Sequence, residues 1–193
     1  LASSAASDVY KRQGDQLDSV MNYPFRSAIM NYVLGGSPFD FKNSIMTILE
    51  NYPKPSVDVL MNSISTHDIE RAINILGGES CEGKSKDWMC SHWLTNEEFE
   101  LGRNRLKCAM ALQYFLPGVP CIYYGDEAGQ QGYKDPFNRR CYPWGKEDTQ
   151  LIEYTKLLAK VRNSSKVFAD GALKFLYIDD NVISFARMKT HRQ

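Results

Sequence analysis

The pattern of apolar and polar positions divides the chain into short strand-like blocks separated by stretches of helical spacing. Residues 57–64 (VDVLMNSI) combine β-forming and apolar types over a length that suits a strand buried on both faces. Residues 121–124 (CIYY) read as another buried strand, and residues 17–23 as a third. Between the first two in chain order, Pro24 opens a helical run through Ile29 and Val33 that Gly35 and Gly36 close. A second helix is predicted over 39–51, with Pro53 and Pro55 punctuating its end. Residues 69–76 predict a helix stopped by Gly77 and Gly78. After a polar loop over 79–94, Thr95 with Glu98 makes a capping-box signature for a long helix running to Phe115, and Pro117, Gly118 and Pro120 end it. Residues 149–162 are amphipathic, with Leu151, Ile152, Leu157, Leu158 and Val161 on one side. Two alternating runs, 172–178 and 182–187, joined by Asp179, Asp180 and Asn181, predict a β-hairpin.

This order is an α/β series followed by a β module. Residues 1–13 (LASSAASDVYKRQ) stand outside it: they are small and polar without a period, and the composition shifts at Gly14. They read as a linker, a tag or a cloning-type scar.

Composition narrows the partners. The chain has 193 residues, within the size of one ordinary domain, and 23 basic side chains balance 23 acidic ones. No global field draws nucleic acid, an anionic membrane or an acidic substrate, so a neutral ligand is expected. No run of about 18 apolar residues predicts a membrane span. The chain starts without the basic-then-apolar order of a secretory signal, and the expected location is cytoplasmic. The 9 Phe, 11 Tyr and 3 Trp suit a core, and equally suit stacking on sugar rings. Cys81, Cys90, Cys108, Cys121 and Cys141 are odd in number and form no pair pattern, so reduced thiols are expected. Cys81 and Cys90 lie near His92, but their spacing matches no closed zinc pattern, and no metal site is predicted.

Candidate chemistry follows from the strand order, because loops after the carboxyl ends of parallel strands collect functional groups. After 57–64 the chain reads Ser65, Thr66, His67, Asp68. Asp68 has two readings there: an N-cap for the next helix, or a carboxylate that faces a cleft with the His67 imidazole, one stabilising positive charge and the other donating to a ligand hydroxyl. After 121–124, Asp126 and Glu127 read as a capping or ion-pairing device. The loop that follows holds Asp135, Pro136, Phe137, Asn138, Arg139 and Arg140, with Tyr133 and Trp144 on either side. Planar charged groups and aromatic faces are what a sugar site uses, and a solvated, ion-paired loop is the alternative.

Taken together, LDSVMNYPF (17–25), NSISTHDIERA (62–72), LPGVPCIYYGDEAG (116–129) and DPFNRRCYPW (135–144) resemble, in order and spacing, the α-amylase superfamily of glycoside hydrolases, and most closely its neopullulanase, cyclomaltodextrinase and maltogenic-amylase branch. The likeness covers residues 14–187. It implies a (β/α)8 barrel whose sixth, seventh and eighth strands are 17–23, 57–64 and 121–124, so that 14–165 is part of a catalytic barrel and 166–193 begins a β-sandwich domain. It also implies a retaining hydrolase of α-1,4 or α-1,6 glucosidic bonds in maltodextrin, cyclodextrin or pullulan. By the same resemblance Asp68 stabilises an oxocarbenium-like transition state, His67 hydrogen-bonds the sugar, and Asp135 with Arg139 grips a sugar on the non-reducing side of the cut. The implied partner is an α-glucan. The implied chemistry needs no redox cofactor or catalytic metal, and the resemblance leaves open both calcium and a homodimer of the full-length protein.

The sequence departs from the family pattern at its start. Retention needs a nucleophilic Asp and an acid/base Glu about 5 to 5.5 Å apart, and no motif for either is found in residues 1–193. Three strands do not close an eight-stranded barrel, so the chain alone is expected to be poorly soluble and without hydrolytic activity. The rival expectation is a non-catalytic scaffold with the same barrel, as in the ancillary subunits of amino-acid transporters. An intact His67-Asp68 pair speaks against it.

Overall fold

The computed structural model describes residues 19–189. Three short extended segments run parallel, side by side and in chain order. Met21 makes a single parallel bridge to Met61, β1 (Met61–Asn62) pairs with β2 (Val119–Pro120), and the register sets Met61 opposite Val119. The ladder extends past the strands: Asn22 N–H donates to Met61 O (2.8 Å), Val119 N–H to Leu60 O (2.7 Å) and Cys121 N–H to Asn62 O (2.9 Å). Each return from one segment to the next is made by helices, as parallel pairing requires.

The first crossover carries α1 (Tyr23–Val33), α2 (Pro38–Asn51) and α3 (Lys54–Asp58). Asn22 and Ser37 cap the first two through side-chain oxygens that accept from Phe25 N–H and from Phe39 and Asp40 N–H. The second carries α4 (Ala72–Gly77), α5 (Lys86–Ser91) and α6 (Asn96–Phe115). The capping box foreseen at Thr95 and Glu98 is formed in both directions. α7 (Thr149–Asn163) and α8 (Val167–Asp170) lead to the hairpin of β3 (Ala172–Ile178) and β4 (Ile183–Met188).

Two strand assignments need correction. Residues 57 and 58 are the end of α3, and only Met61–Asn62 within 57–64 is strand. Proline explains it: Pro53 and Pro55 preset the helical φ at positions whose N–H groups need no helical partner, and the Lys54–Asp58 ion pair (2.5 Å) closes the turn. The last of the parallel strands is Val119–Pro120, two residues before the predicted 121–124, because Tyr123 and Tyr124 already lie in the turn that Gly125 makes at φ 88°. Of 17–23, residues 17 and 18 fall outside the described segment, Met21 bridges and Tyr23 opens α1. The helix expected from Ile69 starts at Ala72.

One apolar core joins these pieces. Phe25, Ile29, Phe41, Ile45, Ile64, Ile73, Leu76, Leu106, Met110 and Leu151 are all buried in it. α4 meets α6 with no room for a side chain between the backbones, since a Cβ on Gly102 would lie 2.7 Å from Ile73 O and 3.2 Å from Gly77 Cα. Gly77 therefore serves a helix crossing as well as a helix end. Beneath the parallel segments, buried amides replace apolar contacts. Asn22 Nδ2 donates to Asn62 Oδ1 (3.0 Å), Asn62 Nδ2 to Pro117 O (2.8 Å), and Gln113 Nε2 to both Asn62 O and Cys121 O. Each of these groups would cost about 1–3 kcal/mol if left unpaired, so the set specifies which segments lie side by side.

The hairpin is docked on the same core. Phe175 meets Phe41 edge-on at 6.4 Å, and Leu173, Ile183 and Phe185 pack alongside. Arg187 of β4 donates to Phe115 O, and Arg162 of α7 donates to Tyr114 O and Gly118 O. Two guanidinium groups thus take up carbonyls at the negative end of α6. Burial, with Arg162 adding to it, pushes the Arg187 pKa down to about 10.

Candidate active site

The carboxyl ends of the three parallel segments deliver Tyr23, the turn 65–71 and the loop 123–140 to one end of the sheet. In the turn, Ser65 Oγ accepts from Ala72 N–H (2.9 Å) and Thr66 Oγ1 from Asp68 N–H (3.2 Å). Asp68 does not cap α4, whose N-terminal boundary is Arg71. Its carboxylate is free to face outward. Oδ1 stands 3.2 Å from His67 Nε2, Oδ2 accepts from Tyr23 Oη at 3.5 Å, and the same hydroxyl lies 3.3 Å from Thr66 Oγ1. The His67 and Asp68 side chains are 58% and 57% exposed.

The loop after β2 folds back onto this turn. Arg139 Nε pairs with Asp135 Oδ1 at 2.9 Å and donates its hydrogen to the His67 carbonyl (3.1 Å), so all four predicted site residues come together although 72 positions separate His67 from Arg139. Asn138, fully buried, donates from Nδ2 to His67 O (2.9 Å) and Ile69 O (2.8 Å). Below them Arg71 is also fully buried. Its Nε donates to Asn138 O (2.8 Å), its Nη1 to Tyr124 O and to Asp126 Oδ1 (3.2 Å), and its guanidinium lies 4.1 Å from the Tyr123 ring centre and 4.7 Å from that of Tyr124. A planar cation packed against two aromatic rings that touch each other edge to face, with its edge on carbonyls, is a setting that arginine suits and lysine does not. Burial pushes the Asp126 carboxyl up to about 6, and the opposing pull of Arg71 does not cancel it.

The ion-pairing role read for Asp126 is therefore observed, with Arg71 as its partner. Arg71, Asn138 and Tyr23 were missed by sequence reasoning. Tyr23 had a legible signal, since it follows a strand directly; Arg71 and Asn138 had none beyond their place in two of the quoted motifs. The aromatic pair proposed around the loop needs correction. Tyr133 is fully buried and packs on Trp88, 4.9 Å between ring centres, so it offers no face to a ligand. Trp144 is 82% exposed and tilts against Tyr142 at 4.5 Å. The five cysteines are unpaired. Among the described residues, no three or more His, Cys, Asp or Glu side chains converge as metal ligands, and no helix is long and apolar enough to cross a membrane.

The family model for the alpha amylase catalytic domain matches residues 2–170. An amylopullulanase of Thermoanaerobacter thermohydrosulfuricus is 38% identical over 186 residues, covering 90% of this chain and 12% of that protein. A cyclomaltodextrinase of Geobacillus thermopakistaniensis (strain MAS1) is 30% identical over 182 residues, covering 92% of this chain and 27% of its own length. Among solved structures, a cyclomaltodextrinase superposes with a TM-score of 0.74 at 27% identity, over 93% of this chain and 28% of that one. The chain thus spans well under two thirds of the length of each relative. These relatives bear the names of α-glucan hydrolases. With the catalytic-domain model matched over most of its length, and its fold superposing on a solved cyclomaltodextrinase, the chain belongs to the alpha-amylase family of glycoside hydrolases.

Proposed function

We propose that residues 65–71 and 123–140 form part of the sugar site of a retaining α-glucan hydrolase, cleaving α-1,4 or α-1,6 glucosidic bonds of maltodextrin, cyclodextrin or pullulan. Asp68 offers a carboxylate to the positive charge that develops at the anomeric carbon. His67 donates a hydrogen bond to a sugar hydroxyl beside it. Asp135 and Arg139 place a neighbouring sugar on the non-reducing side. The observation that carries this reading is convergence: Arg139 is ion-paired with Asp135 and hydrogen-bonded to the His67 carbonyl, at the carboxyl end of parallel segments where barrel enzymes build their sites.

The nucleophile and acid/base belong, by the family resemblance, to other strands of the barrel, and the three parallel segments described here leave the sheet open. On this reading the 193-residue chain binds maltooligosaccharide weakly and does not turn it over. A protein that carries this segment together with both carboxyls should hydrolyse cyclodextrin or pullulan, and Asp68→Asn in it should lower kcat by at least about 100-fold, the loss of a preorganised electrostatic group. Full turnover by Asp68→Asn, or normal hydrolysis by the 193-residue chain alone, would overturn the assignment. Product analysis on pullulan, where panose and isopanose report different bonds, separates the two specificities.

A further inference from the structure

We infer that Asn138 is the positioning residue of the candidate site, the group that holds the His67-Asp68 turn in one shape. The inference rests on the reading of that turn as a sugar site and adds to it what orients the turn. His67 and Asp68 cannot orient themselves. Their mutual contact is open to water, and an exposed pair of this kind gains little against solvent. Their orientation must come from the backbone beneath.

Asn138 ties that backbone at two carbonyls, and Arg139 shares one of them. The Asn138 amide nitrogen has two hydrogens, and the carbonyls of His67 (2.9 Å) and Ile69 (2.8 Å) use both. The Asn138 backbone carbonyl in turn accepts from Arg71 Nε at 2.8 Å. Since Arg71 closes the same turn, the bonds form a ring: from the turn to Asn138 and back to the turn four residues beyond His67. Arg71 N–H adds a bond to Gly132 O (2.9 Å), which fastens the ring to the middle of the loop. The orientation of the amide is forced. Turned over, Asn138 Oδ1 would face two carbonyl oxygens, and as it stands Oδ1 is buried without a partner. An aspartate of the same size would set a carboxylate against those carbonyls.

The test uses the full chain, labelled with ¹⁵N and ¹³C. In the unaltered protein, the two Asn138 side-chain amide protons should exchange with solvent at least about 100-fold more slowly than those of the exposed Asn181, and should show couplings across hydrogen bonds to the His67 and Ile69 carbonyl carbons. In Asn138→Ala and Asn138→Asp, amides 66–71 should exchange at least 10-fold faster and the His67 imidazole ¹⁵N signals should move, while amides of α6 keep their protection. Exchange of the Asn138 amide at the Asn181 rate overturns the inference, as do variants that leave the turn and the His67 signals unchanged. If either variant fails to fold, the measurement on the unaltered chain still decides. A titration with maltoheptaose separates the two levels: protected Asn138 protons with no response of His67 to the sugar sink the reading as a glucan site and leave the positioning role standing.

Discussion

Two polar pairs in this site have the same separation and opposite surroundings. His67 Nε2 and Asp68 Oδ1 are 3.2 Å apart with side chains more than half exposed, and Arg71 Nη1 and Asp126 Oδ1 are 3.2 Å apart with side chains 0% and 7% exposed. The attraction between unit charges at about 4 Å is about 1 kcal/mol in water and about 4 kcal/mol at the effective dielectric of a protein site. The lower pair can therefore order structure, and the upper one cannot. Burial also has a cost, visible in the Asp126 carboxyl, which is pushed up to about 6 in spite of its partner. The division leaves the groups proposed to meet a sugar solvated, and places the ordering in the buried groups beneath them.

The largest expected effect breaks the buried pair. Arg71→Met keeps the volume and leaves Asp126 without its cation, and urea denaturation at pH 8 should show a loss of about 3–5 kcal/mol. The loss should shrink toward pH 5, where Asp126 takes up a proton. An equal loss at both pH values would mean that packing of Arg71 against Tyr123 and Tyr124, rather than charge, is what matters.

Next comes the pH dependence of the unaltered chain. The Asp126 pKa is raised above its ordinary value of 3.8 to about 6, so the stability that its neutral form confers is complete below about pH 4 and is lost as pH rises through 6. Asp126→Asn should remove that part of the slope, roughly 2–3 kcal/mol between those limits. Superimposable stability-against-pH curves for the two proteins would refute it.

Tyr23→Phe tests the boundary between the two regions, because its hydroxyl touches both Thr66 and Asp68 at the solvent edge. Thermal melting should register about 0.5 kcal/mol or less, a long hydrogen bond at a wet site. The smallest effect on stability is expected for the upper pair itself. His67→Ala and Asp68→Asn should each change it by no more than about 0.5 kcal/mol, and a double-mutant cycle should give a coupling below about 1 kcal/mol. A larger coupling would erase the contrast between the pairs.

The helices were legible wherever their ends carry chemistry. Thr95 with Glu98, and the Pro and Gly residues around α1 and α2, mark boundaries through bonds made within one turn of the chain. The hairpin was legible because its alternation is local. Strand boundaries were not, since Val57 looks like strand to a reading of apolar content and is helical here because Pro53 and Pro55 lie just upstream. In the site, His67, Asp68, Asp135 and Arg139 stood out by residue type and by motif. Tyr133 misled for the same reason: its ring is the kind that sugars stack on, and only packing against Trp88 shows that it is unavailable.

By itself, the sequence determined what is encoded over a few residues: the caps, the proline starts, the hairpin, and the loops after strand-like runs in which reactive side chains collect. The tertiary structure alone decided that the turn bearing His67 and the loop bearing Arg139 are one object, and that Asp68 faces solvent and does not cap a helix. The reason is physical. Arg71, Asp126 and Asn138 are polar residues whose partners lie 53 to 71 positions away, and no local pattern distinguishes a polar side chain that will be buried and satisfied from one that will remain in water.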